Sequence, residues 1–230
     1  MTKSPWNSVP LPVLALFTAL ILTLSFGVRE ASAEGERYER LEVTVPEARA
    51  EKTEETEQEV SSARVLVIAS AFTRVNRNLD QAQAARYGEH ILEAAERFGV
   101  HPFMVASIII RESTVKQNAR SRYAYGLMQV NWKAHRKGLK AAFNHIQTLD
   151  DLLQPRNNIL AGTWIFSWYL RSCGGSTDKA LAKYLGRSGK KYIKRVLALY
   201  NEMLGDFEKI KKRVVVTLDA SHKLVAFAVE

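Results

Sequence analysis

The sequence holds a single cysteine, Cys173. An intrachain disulfide is therefore excluded. Gly174 and Gly175 follow it and mark a turn or helix end, where a lone thiol reads as a half-buried small hydrophobe. No motif places a His beside it, so a cysteine nucleophile has no support. The five histidines (His90, His101, His135, His145 and His222) show no metal-ligand spacing. With one cysteine, a structural zinc site is not expected either. No metal and no cofactor is called for. Gly189-Lys190 lacks the rest of a phosphate loop, because Tyr184 stands where the first glycine belongs and Lys191 follows the lysine. No repeat of fixed period is present.

What is there suits one compact domain with flanking segments. The chain has 230 residues, is 47% hydrophobic and 25% charged, and does not read as disordered as a whole. Its net charge of +9 is unevenly spread, because residues 34–60 hold many more Glu than Lys or Arg. The remainder is accordingly more basic still. Such a surface suits an anionic partner, and nucleic acid, anionic lipid and cell-wall polymer all qualify on charge alone.

Residues 1–33 have the layout of an export signal. Lys3 supplies positive charge, Leu11 to Val28 is almost wholly apolar, and Ala31-Ser32-Ala33 is a small-x-small cleavage pattern. Cleavage after Ala33 would release an exported protein. Retention would leave residues 11–28 as a membrane anchor, at the lower edge of a spanning length. We favour cleavage; both readings put the chain in the periplasm or cell envelope. No cysteine near the apolar run could carry a lipid. Residues 34–78 read as an acidic linker with a leading apolar segment. EKTEETEQEV is solvated linker or loose helix, and ARVLVIASAFTRV (63–75) is a helix or anchor strip.

From Asp80 the signals turn helical. Asp80 caps a helix to Phe98, and Gly99 ends it. Pro102 opens the next, FMVASIIIRES, which is apolar nearly all round and reads as the buried central helix. Further helices are expected at 149–154, 157–172, 177–185 and 189–204. The fold class is mostly α over a domain at 79–204, with a basic tail at 205–230. In that tail RVVVTL and KLVAFAV are β-type runs, which predicts a short C-terminal β hairpin.

Glu112 is the candidate for chemistry. Ile109 and Ile108, three and four residues before it, share its helix face. A carboxyl against isoleucines loses hydration, and a helix C-terminus disfavours an anion, so both raise its pKa. A carboxyl protonated near neutral pH is what a general acid requires. Local sequence fits equally a Glu in water at a helix end, paired with Arg111 or Lys116. The next acids, Asp150 and Asp151, lie in TLDDLL, where acids favour a helix N-terminus; we assign them structural roles.

The wider pattern decides for chemistry. GVHPFMVASIIIRES is followed by the polar loop VKQNARSR and by YAYGLMQVN, and later by NNILAG, ALAKY and YIKRVLALY. In this order and spacing, over about residues 85–202, the chain resembles the lysozyme-like lytic transglycosylases, the soluble-lytic-transglycosylase domain family. The resemblance implies a lysozyme-like helical fold with a glycan groove. It implies peptidoglycan strands as the partner and a reaction needing one carboxyl group. Glu112 would protonate the MurNAc–GlcNAc oxygen and then take a proton from the muramyl C6 hydroxyl, closing a 1,6-anhydro ring. Ordinary glycosidases pair two carboxylates. A hydrolytic muramidase, or a non-catalytic peptidoglycan-binding or assembly protein on the same fold, are the alternatives.

Position by position, the resemblance implies that Ser113 follows the acid. Gly126 and its neighbours would line the groove, with Met128 and Gln129 facing the sugar. Asn158 matches an Asn-Ile pair, and Tyr184 matches the Tyr of an Ala-x-Tyr segment whose hydroxyl would orient Glu112 or stabilise positive charge at C1. Tyr192 matches a second groove Tyr. Leu185 stands where the family commonly has Asn, and Tyr123 where it commonly has Gly. The basic runs KAHRKGLK and KIKKR read as solvated or wall-facing surface, since export argues against nucleic acid. Membrane anchoring through residues 11–28 and contact with envelope machinery complete the expected partners.

Overall fold

The computed structural model describes residues 47–186 and 189–226, with side chains over 57–186 and 189–212. The export signal, its cleavage pattern and the first part of the acidic linker lie outside these residues. Contacts divide the chain into Met1–Glu47 and Ala48–Glu230, and the description concerns the second unit. Among the described residues there are eight helices and no strand; two isolated bridges, Arg120 with Tyr125 and Tyr125 with Val130, pin one loop. None of these helices is long and apolar enough to cross a membrane.

Helix α1 spans Glu47–Val75, α2 Gln81–Phe98 and α3 Pro102–Ser113. The α2 boundaries follow from local chemistry. The Asp80 carboxylate accepts from the Gln83 N–H at 2.7 Å, and Gly99 terminates the helix at φ 64°. Pro102 occupies the first turn of α3, where its missing N–H is not needed, and His101 Nδ1 accepts from the Phe103 N–H. Nine of the twelve α3 residues are buried, as a helix apolar on every side must be. Burying side chains such as Phe103, Ile108 and Ile109 stabilises the fold by about 1.5–3 kcal/mol each. Helix α3 lies against α2 and α8, which rigidly sets the direction of the residues at its C-terminal end.

Helix α4, Trp132–Ala142, is absent from the sequence reading, although Asn131 caps it by accepting from the Ala134 N–H at 3.1 Å. The basic run 133–140 falls inside it, with Lys133, Arg136, Lys137 and Lys140 exposed. Then follow α5 Leu149–Leu153, α6 Pro155–Ser172, α7 Thr177–Leu185 and α8 Lys190–Ala226. Asp151 forms a capping box with Thr148 and accepts from the Gln147 and Thr148 N–H groups, so its carboxylate belongs to the start of α5.

One expectation is corrected. The predicted C-terminal hairpin is not formed by the described residues, because α8 continues through RVVVTL and on to Ala226, within the second β-type run. Extending a helix adds a hydrogen bond for each residue fixed and needs no new nucleus, whereas a lone two-stranded hairpin is marginal in water. The leading apolar segment 63–75 is helix, the first of the two readings given for it, and forms the end of α1. Its Val67, Ile68, Ala69, Ala71 and Phe72 are buried in the core, and Phe207 joins them from beyond residue 204.

Candidate active site

Glu112 is on the last turn of α3, just before Thr114 closes the helix in the left-handed conformation. Its Oε1 accepts a hydrogen bond from the Tyr192 hydroxyl at 2.6 Å, across from the start of α8. The two residues share a cavity of about 370 Å³ with Arg111, Leu185, Gly189, Lys191 and Arg195. A larger cavity of about 1010 Å³ lies between α1 and the α2–α3 turn, and holds none of the candidate residues.

Burial raises the Glu112 pKa above its ordinary 4.5; the Tyr192 hydrogen bond and the Arg111 charge pull the other way and do not cancel it. Burial and the neighbouring Glu112 charge push the Tyr192 hydroxyl far up, so it remains a donor throughout the working pH range. The arrangement is a carboxyl, desolvated and hydrogen-bonded by a phenol, that can exchange a proton. Among the described residues, Glu112 is the sole acid in the cavity walls.

Of the two roles expected for Tyr184, orienting Glu112 is not the one its hydroxyl fills. The Tyr184 hydroxyl does not bond Glu112; it donates to the Met128 carbonyl at 2.8 Å, with its ring edge against Phe166 and Tyr169. The hydroxyl on Glu112 comes from Tyr192. Met128 is not exposed to the Glu112 cavity. It is fully buried over Gly162, where an added Cβ would lie 2.5 Å from the Met128 Sδ. Gln129 turns inward as well, its Nε2 donating to the Ala119 and Gly126 carbonyls at 3.0 Å each.

These residues build the loop that follows the acid. Asn158, 1% exposed, accepts from the Met128 N–H at 2.8 Å and donates to the Tyr125 and Leu152 carbonyls. Gly126 passes over it at φ 79°, and a Cβ there would meet Asn158 Nδ2 at 2.2 Å, so no other residue fits. Ser113 is buried, with its hydroxyl donating back to the Ile109 carbonyl. None of Ser113, Gly126, Met128, Gln129, Asn158 and Tyr184 is among the walls of the Glu112 cavity.

The chain leaves α3 through two left-handed residues, Thr114 at φ 54° and Val115 at φ 58°. β-Branched residues seldom adopt that conformation, which costs about 1–3 kcal/mol each. Anchors hold it: Asn76 Nδ2 donates to the Val115 carbonyl, and the Tyr87 hydroxyl donates to Gln117 Oε1, both at 3.0 Å.

A helical domain of this order, with one buried carboxyl at the end of its central helix, can be compared with known families. The chain belongs to the transglycosylase SLT domain family. The family's model matches residues 89–211, more than half of the chain, from within α2 to within α8. The fold is thus the lysozyme-like helical one, and at the level of the SLT family the activity is of lytic-transglycosylase type, with peptidoglycan bound as substrate.

Sequence reasoning passed over Arg111, Lys191 and Arg195 as walls of the SLT site. Lys191 and Arg195 are four residues apart on the same face of α8, and Arg111 adjoins the acid. That spacing was readable once a helix was placed at 189–204; what it faced was not.

Proposed function

We propose that this SLT protein is an exported lytic transglycosylase that cleaves the MurNAc–GlcNAc β-1,4 bond and leaves 1,6-anhydromuramyl ends. The observation that carries the reading is the desolvated carboxyl of Glu112, hydrogen-bonded by Tyr192, with no other acid in its cavity among the described residues. Glu112 gives its proton to the glycosidic oxygen as the bond to C1 breaks, and GlcNAc departs as an alcohol. The resulting carboxylate removes the proton of the muramyl C6 hydroxyl, whose oxygen bonds to C1. Glu112 ends protonated, no water is consumed, and no second carboxylate is required. Tyr192 keeps the carboxyl aimed and stabilises it while it is charged. The apolar run Leu11–Val28 and Ala31-Ser32-Ala33 support export to the periplasm or cell envelope, where the substrate lies.

Digestion of purified peptidoglycan with mass analysis of the released fragments tests this. Anhydromuramyl ends, lighter by one water than reducing ends, are expected. Reducing ends would assign a hydrolytic muramidase, and no release would favour a binding or assembly protein. Glu112→Gln should abolish release with the fold intact; retained activity refutes the assignment.

A further inference from the structure

The cavity of the proposed acid is strongly cationic. Arg111, Lys191 and Arg195 surround the single carboxyl of Glu112. Among the described residues, none of the three cations forms an ion pair. Arg111 Nε is buried and makes no hydrogen bond among those residues. Lys191 and Arg195 are exposed, one turn apart at the start of α8, where the first turn contains no acidic residue. Positive charges at a helix N-terminus oppose the helix's own field, and like charges four residues apart repel. Arg111 also works against the protonated form of Glu112. None of this helps the isolated fold, and it becomes favourable when an anion enters the cavity.

The chemistry of the proposed substrate supplies one. The sugar rings of a peptidoglycan strand are neutral, but each muramyl residue bears a lactyl group. That group ends either in its own carboxylate or in an amide to a peptide with carboxylates further out. Either way a carboxylate is tethered to the sugar whose C1 reacts. We propose that Arg111, Lys191 and Arg195 form a carboxylate subsite that reads the acid carried by the muramyl unit beside the scissile bond. A guanidinium meets a carboxylate with two parallel N–H donors, and the lysine adds a mobile point charge. This rests on the transglycosylase reading, and adds to it that recognition is of the muramyl side group as well as of the glycan.

The test uses the full chain and three preparations of glycan strand: peptide-bearing; stripped of peptide so that the lactyl carboxylate is free; and with all carboxyl groups converted to amides. The rate of appearance of anhydromuramyl ends gives kcat/KM on each. The expected result is a preference of about tenfold or more for a carboxylate-bearing strand over the amidated one, the size of one charge-assisted contact. Salt should erode that preference, because two of the three cations are exposed. Lys191→Gln and Arg195→Gln should each shrink it severalfold, through KM rather than kcat, and Arg195→Lys should restore part of it. Both positions are exposed, so melting curves like wild type should accompany the loss. Whichever of the first two preparations is preferred identifies the lactyl or the peptide carboxylate as the group read. Equal rates on amidated and unmodified strands, or a preference that neither substitution moves, overturn the subsite while leaving the transglycosylase reading intact. Absence of anhydromuramyl ends from every strand removes both.

Discussion

Replacing Tyr192 with Phe removes one oxygen and isolates what the phenol does for the acid. The hydroxyl donates to Glu112 Oε1 at 2.6 Å, a short contact of the charge-assisted kind. A hydrogen bond to a charged group contributes about 1.5–3 kcal/mol, and part of that is already present when Glu112 is protonated. The difference gained as Glu112 becomes a carboxylate is then about 1–2 kcal/mol, or roughly five- to thirtyfold in kcat. A second consequence has a fixed sign. Tyr192 lowers the Glu112 pKa against the larger effect of burial, so removing it moves that pKa further up. Because the protonated acid starts the reaction, the alkaline limb of the kcat/KM profile should move to higher pH while the plateau falls. Steady-state rates of anhydromuramyl formation across pH 4 to 9, with a melting curve as control, check both. An unchanged plateau, or an alkaline limb that moves down, refutes the reasoning. A general weakening of the fold would not produce an upward shift.

Two further outcomes follow from the same geometry. The folded-state pKa of Glu112 is raised above 4.5, so the native state holds its proton more tightly than the unfolded chain, and stability from this group is full below pH 4.5 and declines as pH rises through the folded pKa. Glu112→Gln should therefore raise Tm more at pH 8 than at pH 4, measured by calorimetry; an equal shift at both would mean that burial is not what perturbs the acid. Asn158→Ala strands the Met128 N–H and takes a donor from the Leu152 and Tyr125 carbonyls, of which Tyr125 keeps the Val130 N–H, at about 1–3 kcal/mol for each group left unsatisfied. A loss of about 3 kcal/mol or more, roughly 6–12 °C in Tm for a chain of this size, is expected; a loss below 1 kcal/mol in urea denaturation would contradict the clamp.

The parts of the fold legible in the sequence were those written in local chemistry. Asp80, Gly99 and Pro102 fix helix ends through their own side chains or backbone, and each acts there as its residue type suggests. The burial of Ile108 and Ile109 followed from a helix apolar on all sides. The tail was misread because β-branched runs report an intrinsic preference, and α8 carries them in helix by simple continuation. Helix α4 was missed because its basic residues drew attention as a charge run, while the Asn131 cap went unused. Within the candidate site, the sequence could not say which of two tyrosines would meet Glu112. Tyr184 and Tyr192 are eight residues apart on different helices, α7 and α8, and how each helix packs decides which one reaches Glu112.

The inward orientation of Met128, Gln129 and Asn158 changes what the sequence blocks mean. Gly-Leu-Met-Gln and Asn-Ile read at first as groove-lining motifs, yet their atoms are occupied with each other. Gly126 lies over Asn158, Asn158 grips the Met128 N–H, Met128 fills the space over Gly162, and Tyr184 ties down the Met128 carbonyl. Each contact depends on its residue type, so blocks of this kind are readable in the sequence through packing alone. What they do here is mechanical. The loop they lock begins two residues after Glu112 with Thr114 and Val115 in a conformation that the chain alone would leave, and the clamp, with Asn76 and Tyr87, stops it from relaxing. On the proposed mechanism, a carboxyl that gives and recovers a proton between two fixed oxygens tolerates little wandering. Rigidity behind Glu112 would then serve that chemistry as much as the desolvation around it.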